Sequence, residues 1–282
     1  TGFNEAFYLS DALAQQMLAE EPQSAELIRP FIRGRDVKRW RVHWEEQWHI
    51  VIPSSHNRRW PWSETEDEIA AESIFAREHP VLHSHLKRFE PQLRNRSDQG
   101  KYWWELRSCD YYDRFAVPKI VVSRISFHSA CGLDPVGYFQ NDSTVVIPTS
   151  DPFILAVLNS RIAWWYITLT FPHKKDEAIS MDADYLERFP VPNAEEAVKE
   201  QIRNRCRLLI NWPTESSMEA RLAAERELSS LIWQAYSLAP GQERILDRFP
   251  VIRDPIHVLL KAAAGQASFR FAQMPALPRE RR

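Results

Sequence analysis

Gly100-Lys-Tyr-Trp-Trp-Glu-Leu-Arg107, then Cys109-Asp-Tyr-Tyr-Asp-Arg-Phe115, then Pro118-Lys-Ile-Val-Val-Ser-Arg-Ile125 is the stretch on which the reading of the fold turns. Its first half sets aromatics beside cations; its second half is a β-branched run opened by proline. Lys119 to Arg124 reads as a strand, because Ile120, Val121 and Val122 suit a pleated, buried surface. Trp103, Trp104, Tyr111 and Tyr112 are expected to pack round the entrance to that strand. Taken singly these are core aromatics, with Glu105 and Arg107 as local ion partners.

Working outward, 282 residues can bury a large core, as one large domain or two closely packed ones. A hydrophobic share of 44% and an aromatic share of 12% exclude a disordered chain. Seven glycines against eleven tryptophans are poor material for a loop that cradles a nucleotide. The formal net charge of −2 gives no bulk attraction to nucleic acid, so any such case rests on local clusters. Cys109, Cys131 and Cys206 lack C-x-x-C spacing, which argues against a disulfide framework and a zinc ribbon. A reducing, cytoplasmic setting is the expectation, and no signal peptide opens the chain. The start at Thr1 rather than Met suggests a fragment or processed product.

Phe3 to Leu9 reads as a strand, followed by a helix capped by Ser10 and a second short helix capped by Ser24 that ends before Pro30. The basic run Arg29 to Arg41 holds Arg29, Arg33, Arg35, Lys38, Arg39 and Arg41 against the single acid Asp36. Gly34, Trp40 and Trp44 lie in or beside it. Such a run suits phosphate or base contact, and suits a solvated basic loop equally. Asp36-Val37-Lys38 lacks the upstream acidic partner of a nuclease site. Leu82, Leu86, Phe89 and Leu93 form one helical face, restarted at Pro91. His79 and His83 share a metal-binding spacing, but Pro80 stands where a zincin carries its glutamate. Asp151 and Pro152 open an apolar helix predicted to run to about Thr168, and Asn159, Ser160 and Arg161 at its centre argue against a membrane span. His173, Lys174 and Lys175 form a second small basic site. Phe189-Pro-Val-Pro192 is the expected boundary before a helical region, in which Ser216 and Glu219 have capping-box spacing.

The sequence carries no recognisable catalytic motif. A DNA methyltransferase needs a glycine-bearing loop for S-adenosylmethionine and an Asn-Pro-Pro-aromatic motif, and neither string is present. Gly-x-Ser-x-Gly and a P-loop are absent as well. The pairs Asp110/Asp113 and Asp182/Asp184 read as caps and surface turns.

The order of phrases over residues 1 to 192 resembles the TaqI-like C-terminal specificity domain. This is the target-recognition part of adenine-specific DNA methyltransferases, found in fused type IIG restriction–modification enzymes and PglX-type methyltransferases of phage-defence (BREX) systems. The phrases are Thr1, Gly2, Asn4, Ala6 and Phe7; Pro30, Phe31, Arg33, Gly34, Arg35, Asp36, Lys38, Arg39 and Trp40; Trp103 to Arg107; Leu158, Asn159 and Ser160; and Pro190 with Pro192. Leu231 to Leu238 is similar to the helical region that follows such domains. The expected fold is α+β, a twisted, mainly antiparallel sheet flanked by helices and followed by a C-terminal helical subdomain. Residues 1–192 would be the specificity domain, 193–264 the helical region and 265–282 a tail.

The resemblance implies a double-stranded DNA partner and no catalysis by this fragment. A methyltransferase domain missing from the N-terminal side would supply S-adenosylmethionine, with magnesium if a nuclease is fused, and would flip out the target adenine. Arg33, Arg35, Lys38 and Arg39 are the expected backbone or groove contacts. Arg124, Asn141 and Ser143 are candidate base readers near strand ends. His173, Lys174 and Lys175 are placed on the far phosphate strand. Protein interaction, ordering a parent enzyme without reading bases, is the alternative.

Overall fold

The computed structural model describes Phe3 and residues 5–213, 217–239, 241–248, 253–255 and 258. In chain order the elements are β1 (Tyr8–Leu9), α1 (Asp11–Glu20), β2 (Ile28–Ile32), β3 (Trp40–Arg41), β4 (Trp48–Ile50), α2 (Glu68–Glu78), α3 (Pro80–Lys87), α4 (Glu90–Arg94) and α5 (Tyr112–Phe115). Next come β5 (Lys119–Ser123), β6 (Ile125–Ser126), β7 (Cys131–Asp134), β8 (Phe139–Gln140) and β9 (Thr144–Ile147). The rest is α6 (Pro152–Leu158), α7 (Arg161–Thr170), β10 (Ile179–Ser180), α8 (Ala183–Leu186), α9 (Glu196–Ile210), α10 (Met218–Ala235) and α11 (Arg244–Arg248). The fold is α+β, with helices gathered toward the C-terminal end.

The chain divides into two compact units. Unit 1 takes Thr1–Asp36, His43–Lys119 and Asp134–Asp142; unit 2 takes Val37–Val42, Ile120–Leu133 and Ser143–Arg282. The backbone therefore passes from one to the other five times.

Unit 1 holds a sheet in the order β1-β4-β2-β8, antiparallel except for the β2–β8 pair. Leu9, Ile28 and Ile50 from its strands join Phe75, Leu82, Leu86, Leu93, Trp62, Trp103 and Trp104 in one core. The aromatics stack inside it: Tyr102 on Trp104 at 4.7 Å, Phe75 on Trp104 at 5.3 Å, Trp60 on Trp62 at 5.2 Å. Each such pair adds roughly 0.5–1.5 kcal/mol beyond its area burial. The helical face expected over Leu82 to Leu93 forms as α3 and α4, with Pro91 in the first turn of α4.

Unit 2 holds a four-stranded sheet, β3-β7-β5-β9, and a two-stranded pair, β10-β6. Ile120 and Val122 of β5 meet Leu155, Val157, Ile167, Ile202, Cys206, Leu228 and Ile232, so sheet and helices α6, α7, α9 and α10 share one core. Burial pushes the thiols of Cys131 and Cys206 up to about 12.

The structure corrects several sequence expectations. One mainly antiparallel sheet becomes three small ones, two of them with a parallel pair. The Phe3–Leu9 strand is a 3₁₀ turn, Glu5–Phe7, followed by two strand residues. Ser24 is buried inside a 3₁₀ turn rather than capping a helix, and Pro30 stands within β2. The long helix from Asp151 breaks into α6 and α7, bent by 58° at Asn159–Ser160. No single helix among the described residues is long and apolar enough to cross a membrane. Ser217, not Ser216, caps α10; Ser216 and the expected tail 265–282 lie outside the described residues.

Candidate nucleic-acid interface

The string that decided the sequence reading is a structural device. Glu105 is fully buried, and its carboxylate accepts from Ser55 N at 2.9 Å, Trp62 Nε1 at 2.9 Å, Lys101 N at 2.9 Å and Tyr102 N at 3.3 Å, and from the Ser55 hydroxyl. It therefore ties the 53–63 loop to the aromatic turn that carries it, and is not the partner of Arg107. Arg96 donates to the carbonyls of Trp103 and Glu105 from the other side. Gly100 is required here, since a Cβ would stand 2.6 Å from both Glu105 Cβ and Leu106 O.

A second buried pair organises the turn after β7. Lys119 and Asp134 are ion-paired with both side chains fully buried, and Lys119 Nζ also donates to Phe115 O at 2.7 Å and Tyr138 O at 3.0 Å. Asp134 accepts from the amides of Val136, Gly137 and Tyr138. Burial pushes the Lys119 ammonium down, and the Asp134 carboxylate opposes that shift.

Unit 1 brings together three of the expected contacts. Asp36 accepts from the Arg33 amide at 2.7 Å and Nε at 3.4 Å, while Arg33 Nη2 reaches Glu45 at 3.1 Å. Arg35 is more open, 65% exposed in its side chain, and lies 3.7 Å from Glu45. The Arg35–Glu45 pair is exposed and such pairs are worth about 0–1 kcal/mol, so a phosphate can compete for the Arg35 guanidinium, while Arg33 is also held by the buried Asp36. Asn141 donates to the Tyr8 hydroxyl at 3.3 Å. Burial raises the Tyr8 pKa; the Asn141 bond and, less, the Arg33 charge oppose it, and the Asp142 charge adds to it. Tyr8 carried no signal in the sequence beyond its strand position.

Unit 2 brings together another set. Arg124 follows β5, donates its amide to Ser143 O at 2.9 Å and pairs through Nε with Asp182 at 2.7 Å. The Asp182 carboxyl is held below its ordinary range by the Ser180 hydroxyl and Arg124, with Lys174 adding its charge. Antiparallel pairing of β6 with β10 makes this neighbourhood. Lys174 and Lys175 are exposed, on a turn where Asp176 and Glu177 both have φ of 58°. Arg253 donates to the carbonyls of Phe127, Asp176 and Glu177 and closes that turn. His173 is more engaged within the fold than a free cation, with Nδ1 3.0 Å from Glu177 and Nε2 2.8 Å from Thr168 O, though it is exposed.

Arg39 is more engaged still. Lys38 is exposed, but Arg39 turns inward, donating from Nε and Nη2 to Glu225 at 3.2 and 2.6 Å and from Nη1 to Asn159 O at 2.5 Å. That carbonyl is the open end of α6, so Arg39 caps it. Asn159 in turn pairs its side-chain amide with both backbone groups of Cys131, at 2.9 and 2.8 Å. The Leu-Asn-Ser phrase is thus a joint: Asn159 binds β7 and Ser160 caps α7 through the Ala163 amide. An arginine so committed is a strut within unit 2.

Arg35 in unit 1 and Lys38, Lys174 and Lys175 in unit 2 are exposed cations on turns or beside strands. The family model of the TaqI-like C-terminal specificity domain matches residues 29–191. The chain belongs to that family. Thr1, Gly2 and Asn4 of its opening phrase lie outside the described residues, while Ala6 and Phe7 are fully buried. In fold the chain is similar to the type IIL restriction-modification enzyme MmeI, whose structure was solved in complex with DNA. The TM-score is 0.57 at 14% identity, over 93% of this chain and 35% of that one. The chain thus spans about a third of MmeI's length, and the likeness is one of fold. No curated protein matches.

Proposed function

We propose that this chain reads the DNA target for an adenine-specific methyltransferase or fused, type IIG-like restriction–modification enzyme of the bacterial or archaeal cytoplasm. The observation that carries the reading is its membership of the specificity-domain family over residues 29–191. MmeI, a restriction-modification enzyme that shares the fold, was solved with DNA, which supports the same partner. Catalysis would come from a methyltransferase domain on the N-terminal side, which would hold S-adenosylmethionine, and magnesium where a nuclease is fused. Residues 1–192 would carry recognition, with 193–264 as their helical support.

Within this reading Arg33, Arg35, Lys38, Lys174 and Lys175 meet phosphates. Arg124, Asn141 and Ser143 stand as base readers, and the exposed Arg124–Asp182 pair can open in favour of a base edge at small cost. The test is a site-selection assay on the parent enzyme carrying Arg124→Ala. Preference should relax at one base position by roughly 1–3 kcal/mol. A preference unchanged at every position would remove Arg124 from the readers, and a parent with no sequence preference at all would remove the function.

A further inference from the structure

Helix α10 lies outside the stretch matched by the family model, yet one of its side chains sets the geometry of a segment inside that stretch. Glu225 is buried, with 1% of its side chain exposed. It accepts both Arg39 bonds and a third, from Trp40 Nε1 at 2.7 Å. Two consecutive side chains therefore reach one carboxylate, which the alternation of a regular strand does not allow. Trp40 makes it possible with φ of 80°, a left-handed conformation that is strained for a bulky residue. The segment also lies flat on β7, pairing Trp40 with Gly132, whose absent Cβ would stand 2.8 Å from Arg41 C and 3.0 Å from Lys38 O.

The outcome is a fixed pattern. Arg39 and Trp40 face inward onto α10, while Lys38 and Arg41 on either side are exposed. Arg221, one turn before Glu225, lies in the field of Arg39 and Arg41; burial first, then those two charges, push its pKa down against the pull of Glu225. Lys38 and Arg41 thus present two cations outward, while the Glu225 carboxylate is turned inward.

We propose that Glu225 is a positioning residue for DNA recognition: by anchoring Arg39 and Trp40 it holds Lys38 and Arg41 outward against the phosphate backbone. Helix α10 is then a working part of the contact surface. This inference rests on the DNA-binding reading above. The experiment measures binding of the full 282-residue chain to a random-sequence duplex over a series of potassium chloride concentrations. Lys38→Ala and Arg41→Ala should each lower the salt slope by about one unit. Glu225→Gln should lower it by about one to two units, with no further loss when combined with the other two. If Lys38→Ala and Arg41→Ala lower the slope and a folded Glu225→Gln does not, the positioning role is overturned. If none of the three lowers it, the segment does not meet DNA, and both the inference and this part of the functional reading fall. Should Glu225→Gln lose its thermal transition, Glu225→Asp carries the test, because it keeps the charge and withdraws it by one methylene. A folded Glu225→Asp with the wild-type slope overturns the proposal; a reduced slope supports it.

Discussion

Glu105 in unit 1 and Glu225 in unit 2 are both buried carboxylates that gather hydrogen bonds, but they gather them from different distances along the chain. Glu105 draws on two amides three and four residues away, and on Ser55 and Trp62, both within about fifty residues. Glu225 draws on Arg39 and Trp40, 186 and 185 residues away. The first binds neutral donors; the second neutralises a part-buried guanidinium. A short-range hub leaves a compact string in the sequence, whereas a long-range one leaves two unremarkable residues far apart.

Removing each hub is the strongest way to break this comparison. Glu105→Ala strands up to five donors, two buried and three part-buried, each costing about 1–3 kcal/mol when left unsatisfied in a dry site, and partial relaxation and water should bring the total to about 3–5 kcal/mol. Denaturant unfolding of the variant should show this loss, and a change below about 1 kcal/mol would mean that the aromatic turn does not depend on its carboxylate. A gentler probe of the same hub is Gly100→Ala. The added Cβ meets backbone and a fixed side chain at 2.6 Å, and overpacking of this kind costs about 1–3 kcal/mol.

Unit 1 should also show a pH signature. His49 is buried against Phe7 and Phe31, and desolvation lowers its pKa from 6.5 to about 3. Between those values the unfolded chain binds a proton that the folded chain refuses. Stability is therefore fully present above pH 6.5 and falls as the pH is lowered, by up to about 1.4 kcal/mol per unit from this residue. His49→Phe should flatten the thermal midpoint against pH across that window; an equally steep variant would assign the slope to other groups. The smallest expected effect is in unit 2. Arg124→Ala breaks an exposed ion pair and should change stability by less than about 1 kcal/mol, so a larger loss on melting would show a structural part for Arg124.

The same contrast explains what could be read from the sequence. The β5 strand, the α3–α4 face with its proline, and the caps at Ser10 and Asp151 were legible because their causes are local. The family resemblance was legible from phrases that turn out to be joints of the fold. The break between α6 and α7 was not, because the apolar stripe continues across it and its cause, the pairing of Asn159 with Cys131, lies 28 residues away. Arg39 was grouped with Arg33, Arg35 and Lys38 for the same reason: in a basic run an inward strut reads like an outward contact until its partner is known. The contact of His173 with Glu177 was hidden at shorter range, because the left-handed turn between them has no glycine to announce it.

The distance between Trp40 and Glu225 has a consequence during synthesis. Translation proceeds at roughly 5–20 residues per second, so the acceptor for this tryptophan follows it after a delay on the order of ten to forty seconds. Until then a left-handed tryptophan and an unneutralised arginine have no anchor, and β3 cannot be held in its final form. The nascent chain can therefore settle the segment from Lys38 to Arg41 only after a helix residue 185 positions beyond Trp40 has been made.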